Sequence, residues 1–314
     1  MALSGSYNYT RTRNQIVNLA YKHAGIRGPG ETISSEDLND GVELLELLIK
    51  SWQAEGIGLW LLKEATLFLE YQENKYTIGP TATSDHYTIT PHNTEIATAA
   101  SSGASTITVD DDDDITDGDY IGIELDDGTL QWTTVNGTPA ANVVTLTDTL
   151  TDDVAVDNVV FNYTTKGQRP LEITEARVRS HDNIDTPLNV GSRSDYMEQS
   201  TKFTDGTVSE IYYDPQLTDG ILYTWPRCSD VQERIYMTVK YPIQDFDSAA
   251  DASADFPQEW LMALSLNLGV LLGMQHGVHD RIFKRLITMA DYYKDKVNMF
   301  DQEKGSVFFG LNRR

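Results

Sequence analysis

Between Thr12 and Ala24 the residues Ile16, Leu19, Ala20 and His23 recur at helical spacing, which predicts an amphipathic helix ended by Gly25. The loop IRGPGETISS follows. Ser34 or Ser35 then caps a second helix, SSEDLNDGVELLELLIKSWQAEG, which stops at Gly56. Along it Leu38, Val42, Leu45, Ile49 and Trp52 step by four and three, the stripe of a helix packed against others, and plain core packing accounts for them. ATLFLEYQ and KYTIG alternate as short strands and end at Gly79-Pro80.

From Asp85 to Val160 the texture changes to STITVDD, DYIGIEL, LQWTTV, NVVTLTD and NVVFNY, β-type runs separated by DG, NG and TDD turns. This predicts an inserted all-β module of five or six strands, a small barrel or sandwich. After Gly167, RPLEITEARVRS carries Leu171, Ile173, Ala176 and Val178 with one phase slip that suits a bulge, and SDYMEQS suits a single helical turn. EIYYDPQLTDGILYTWP reads as two strands about a DP/DG turn, and ERIYMTVKYP as one more. Pro257 then opens a strongly apolar helix, PQEWLMALSLNLGVLLGMQHG. A last helix is HDRIFKRLITMADYYKDKVNMFDQEKG, with Ile282, Leu286, Met289 and Tyr293 expected to face inward. The order predicts an α+β chain in which helices from both ends form an antiparallel-type bundle and the β region projects from it. The implied parts are 1–64 and 251–304 for the bundle, 65–84 with 161–250 for the central β region, 85–160 for the insert and 305–314 for a tail.

Length and composition fit this picture: 314 residues, 40% hydrophobic and 10% aromatic, suffice for a large core, and no apolar run approaches the roughly 18 residues that span a bilayer. MALSGSYNYTRTRN lacks the apolar stretch of a secretory signal, so the protein is expected to stay where it is made or to leave by cell lysis. The single cysteine, Cys228, excludes an intramolecular disulfide and a cysteine-based zinc cluster. Charge changes the picture more. Of the net −24, the insert supplies −16, with 16 acidic residues and no Lys or Arg, leaving −8 for the other 238 residues. Such a chain is not expected to wrap duplex DNA, whose phosphates are held by Lys and Arg.

The most acidic run, VDDDDDITDGDY (Val109 to Tyr120), fails as a calcium hand. A loop begun at Asp110 has carboxylates at positions 1, 3 and 5, but Ile115 stands where the turn glycine is required and Ile121 where the bidentate acid belongs. An exposed inter-strand loop with weak cation association fits better. His276 and His279 lack a third ligand and read as capping or surface groups rather than metal ligands. No GxSxG, GxxxxGK[ST], HExxH or GxGxxG is present, and Cys228 has no sign of a nucleophile's setting. Acid pairs such as Glu43 with Glu46, or Glu55 with Glu64, arise freely among 48 acids. No catalytic residue, metal site or cofactor is expected, and the chain reads as a non-enzyme.

The tail GSVFFGLNRR places Val307, Phe308, Phe309 and Leu311 beside Arg313 and Arg314, a segment too short to make its own core. It either folds back or enters a groove on a partner.

Several stretches together resemble the head-to-tail adaptor, or head-completion, proteins of short-tailed phages. RNQIVNLAYKHAGI and GETISSEDLNDGVELLELLIKSWQAEGIGLW are similar to that family's opening helical pair. KYTIGP, RPLEITEARVR, SDYMEQ, EIYYDP and ILYTWP resemble its β region in order, and FPQEWLMALSLNLGVLLGMQHG its C-terminal helix. About three-quarters of the chain is covered by motifs that are weak singly and specific as an ordered set. The resemblance implies a structural virion protein forming a ring, usually twelve-fold, beneath the portal protein. It would extend the DNA channel without reading DNA sequence and would dock tail nozzle or hub proteins and tail fibres, with no membrane contact. Val307, Phe308, Phe309, Leu311, Arg313 and Arg314 would then anchor the portal. The acidic insert departs from shorter members and is expected to face fibres or tail proteins. Two competing expectations are a virion-associated cell-wall hydrolase and a carbohydrate-binding insert with Trp132 as stacking platform.

Overall fold

The computed structural model describes residues 9–28, 30–55, 59–246 and 256–300. The chain divides into two compact units, 1–60 with 243–314, and 61–242.

The first unit is helical. Its helix α1 (Arg13–His23) opens on a reciprocal cap: the Thr12 hydroxyl accepts the Gln15 N–H, and the Gln15 side chain accepts the Thr12 N–H. Helix α2 (Ser35–Ala54) is capped by Ser34, whose hydroxyl accepts the Asp37 N–H at 3.1 Å. A six-residue helix, α3 (Arg193–Glu198), belongs to the other unit, and α4 (Leu261–Gln275) and α5 (Asp280–Phe300) complete the first. α4 is buried nearly all round, through Leu261, Leu264, Leu266, Leu268 and Leu272, so the other three helices gather about it. Before it Trp260 packs against Trp52 and Trp60, ring centres 5.7 and 5.2 Å away. α1 and α2 meet at Gly41, where a Cβ would stand 2.5 Å from Val17 Cγ1.

The second unit holds all sixteen strands found among the described residues. Strands β1 (Leu62–Phe68), β2 (Lys75–Ile78) and β3 (Tyr87–Thr88) precede the insert. β4 (His92–Thr98), β5 (Thr106–Val109), β6 (Tyr120–Glu124), β7 (Leu130–Thr134), β8 (Val143–Thr145) and β9 (Val159–Tyr163) form it. After it come β10 (Glu172–Arg179), β11 (Asp185–Val190), β12 (Asp205–Gly206), β13 (Glu210–Asp214), β14 (Gly220–Trp225), β15 (Arg227–Cys228) and β16 (Arg234–Lys240). The eight-stranded sheet runs β2-β14-β13-β11-β10-β16-β1-β3, while β12 and β15 pair alone. The phase slip in β10 is a bulge, the pairing with β16 shifting between Ile173 and Glu175, so that Ile173 and Val178 both reach the core. Leu67, Tyr76, Ile78, Ile211, Leu222, Met237 and Val239 fill that core.

The insert is a six-stranded sheet, β7-β6-β9-β4-β5-β8, whose two edges meet. Asn136 and Thr147 donate their N–H groups to the carbonyls of Thr145 and Thr134, and Val135 bridges Leu146, so the module is a closed barrel. Ile96, Ile107, Val109, Ile121, Ile123, Val144 and Val160 fill it.

The expected helical bundle with a projecting β region is therefore overturned. The chain is mostly β, with sixteen strands against five helices among the described residues, and its larger unit is a curled sheet and a barrel with cores of their own rather than an excursion from a helical frame. Helical periodicity marked the buried side of α2 through Leu45, Ile49 and Trp52, but the cores that dominate the molecule come from the strands between Leu61 and Pro242.

Candidate functional site

A groove of about 660 Å³ lies on the helical unit, lined by Met262 and Leu266 of α4 and by Ile282, Arg285, Met289 and Tyr293 of α5. α5 starts here because the Nδ1 of His279 accepts the N–H of Arg281 at 3.2 Å. Its expected inward face is split. Leu286 is buried and Tyr293 half-buried, but Ile282 and Met289 stay 46% and 40% exposed, and Met262 across from them 41%. Arg281 and Arg285 border this apolar strip with no carboxylate partner among the described residues. His23, beside them, is driven below the usual histidine range by burial, so it adds no charge at neutral pH. Apolar side chains with a positive rim suit an acidic, apolar polypeptide segment better than a metal or a small polar substrate.

The remaining expected residues fall elsewhere. Val307, Phe308, Phe309, Leu311, Arg313 and Arg314 lie outside the described residues. His279 is the cap just named, and His276 packs edge-on against Tyr21 at 5.6 Å. Cys228 is buried, its thiol donating to the Asp230 carbonyl, and burial pushes its pKa up to about 12, far from a nucleophile's range. Glu55 pairs with Lys294 at 2.7 Å, Glu64 with Arg177 at 2.5 Å, and Glu46 accepts the Phe246 N–H.

In the aspartate run, Ile115 and Ile121 are core residues of the barrel. The carboxylates instead accept backbone N–H groups: Asp111 from Asp113, Asp112 from Asn142, Asp117 from Gly137 and Asp119 from Thr116. Asp113 and Thr116 lie within the run itself, whereas Asn142 and Gly137 come from other loops, so the carboxylates both brace their own turn and tie it to its neighbours. Asp111, Asp112 and Asp113 bring carboxylate oxygens within 4.8 Å of one another, an acidic cluster on an exposed loop.

Where the barrel joins the sheet, His86 and Trp132 stack, and Nδ1 of His86 shares a 2.7 Å hydrogen bond with the Tyr163 hydroxyl. Burial, then the Lys166 charge, pushes His86 down to about 3. Lys166 itself is lowered by burial and donates to the carbonyls of Ala82 and Ser84. Trp132 is not a glycan platform: His86 covers one face, and Gly122 approaches so closely across the β6–β7 pair that a Cβ there would lie 2.8 Å from the indole. Phe68 and Phe161 continue the aromatic cluster, 5.3 Å from Trp132 to Phe68 and 4.9 Å from Phe68 to Phe161.

No family model matches this chain. No curated protein matches it either. Among solved structures it has a partial likeness to Gp54, the tailspike of Acinetobacter baumannii bacteriophage AP22, determined in complex with A. baumannii capsular saccharide. The identity is 15%, the TM-score 0.22, and the match covers 26% of this chain and 16% of the tailspike. The saccharide belongs to the tailspike. No helix among the described residues is long and apolar enough to cross a membrane.

The groove was only half legible beforehand. Helical spacing located Ile282 and Met289 on the apolar face of α5, but nothing in the spacing said that the other described residues of the unit would leave them exposed.

Proposed function

We propose that this chain is a structural virion protein of the head-to-tail adaptor kind: it assembles in a ring on the portal protein, continues the DNA channel and gives tail proteins or fibres their docking surface. The observation that carries the reading is the arrangement of the stretches that resemble that family. RNQIVNLAYKH and SEDLNDGVELLELLIKSWQA are α1 and α2, KYTI, EITEARVR, EIYYD and ILYTW are β2, β10, β13 and β14 of one sheet, and LMALSLNLGVLLGMQ is α4. The insert that interrupts them folds as a barrel of its own, entered and left at paired residues, His92 opposite Asn162. A framework that resembles the family's in order, together with a self-contained addition, is what an adaptor with an extra module would require. The groove on the helical unit, exposed among the described residues, adds a surface suited to protein assembly.

The test is reconstitution with the cognate portal, followed by sedimentation and electron microscopy. A ring seated on the portal is expected, and it is expected to be lost when residues 305–314 are removed. A full-length chain that never assembles on portal overturns the reading.

A further inference from the structure

We propose that the α4/α5 groove receives the outward face of α2 from a second copy of this chain. On α2, Glu36, Asp40, Glu43 and Leu47 follow at steps of four, three and four, so they share one side of the helix. All four are exposed, Leu47 by 60%, an unusual place for a leucine on so acidic a face. None of the three carboxylates has an ion pair among the described residues. The groove offers the complement: Arg281 and Arg285 on its rim, and Met262, Ile282 and Met289 as an apolar floor for Leu47. The lengths agree, since Glu36 to Leu47 rises about 16 Å and Arg281 to Met289 about 12 Å along their helices.

Charge also selects among occupants. The chain's own tail is apolar but carries Arg313 and Arg314, which would bring positive charge to a positive rim. A second copy, from a protein of net charge −24, brings acids. Because the two faces are different patches, each copy has one of each to offer and the contact is head-to-tail. Repeated, it closes into a ring or runs on as a filament. The inference deepens the assembly reading above and does not depend on portal.

The experiment uses full-length chains and charge reversal. Arg281→Glu/Arg285→Glu makes the groove rim acidic, and Asp40→Arg/Glu43→Arg makes the α2 face basic, all at exposed positions. Circular dichroism checks that both variants fold, and analytical ultracentrifugation reads assembly. Wild type is expected to form oligomers, and each variant alone to self-associate about a hundredfold more weakly. An equimolar mixture of the two is expected to assemble again, because every groove then meets a face of opposite charge. Three results each overturn the inference: wild type monomeric over its whole soluble range, either variant assembling like wild type, or a mixture that stays monomeric. Portal binding is measured separately. Chains that re-assemble on mixing yet ignore portal keep this inference and sink the adaptor reading; portal binding by variants that also assemble normally does the reverse.

Discussion

The imidazole of His86 lies flat on the indole of Trp132, ring centres 3.6 Å apart and planes 3° from parallel. His86 comes from the segment leading into β3 of the large sheet and Trp132 from β7 of the barrel, so one stacked pair joins two separately cored bodies. Arg234 on β16 adds a hydrogen bond to Asn93 at 3.0 Å and holds its guanidinium 5.1 Å over Phe161. Gln232 bonds Glu124 across the same joint at 2.9 Å.

The far side of that indole is pressed on Gly122, which gives a steric prediction. Strand propensity favours Gly122→Val, but a Cβ would sit 2.8 Å from Trp132, so the substitution is expected to cost about 1–3 kcal/mol. Urea unfolding followed by circular dichroism measures it. In a Trp132→Ala background the cost should largely disappear, as a double-mutant cycle would register.

The joint should also weaken in acid. His86 titrates at about 3 in the folded chain against 6.5 as the ordinary value, so between those pH values the unfolded state binds a proton that the folded state refuses. Stability therefore falls as pH falls through 6.5, by about 2 kcal/mol at pH 5 from this group. His86→Phe keeps an aromatic ring on Trp132 without the titration. Unfolding free energies at pH 7.5 and 5.0 should differ by that much less in the variant than in the wild type.

Gly41 sets helix propensity against packing. An exposed Gly→Ala change within a helix gains about 1 kcal/mol, but the new methyl in α2 would stand 2.5 Å from Val17 Cγ1 in a buried contact. Gly41→Ala is expected to lower stability by about 1–2 kcal/mol, and Val17→Ala added to it to recover part of the loss. Thermal unfolding of the wild type and these two variants decides the sign.

The aspartates of the run are not equivalent. Asp112 is half-buried and accepts the Asn142 N–H at 2.9 Å, so Asp112→Ala is expected to cost about 1 kcal/mol. Asp113 is exposed, its carboxylate has no hydrogen-bond donor or ion pair among the described residues, and it sits among like charges. Asp113→Asn should leave stability unchanged or raise it slightly. Denaturation midpoints at low and high salt separate the two, since only the second effect is screened.

The strands rich in β-branched and aromatic residues were readable from the chain alone, among them YIGIE, VVFNY and RIYMTVK, as were the bulge in β10 and the Ser34 cap of α2. β4, HNTEIAT, and β11, DTPLNV, were not: few of their side chains are buried, and each is a strand because its neighbours offer hydrogen-bonding edges. The aspartate run went the other way. Ile115 and Ile121 ruled out a calcium hand from sequence, but which carboxylate caps which N–H depends on Gly137 and Asn142 arriving from loops 20 and 30 residues away.

By itself, then, the sequence determined where the helices and most strands lie, where the negative charge is concentrated and which side chains seek burial, because those follow from local spacing and capping. Only the tertiary structure decided that the insert closes edge to edge, that Trp132 is spent on His86 and Gly122, and that no other described residue covers Ile282 and Met289. Closure, stacking and coverage each depend on residues distant in the chain meeting in space, and periodicity along one segment carries no information about what lies across from it.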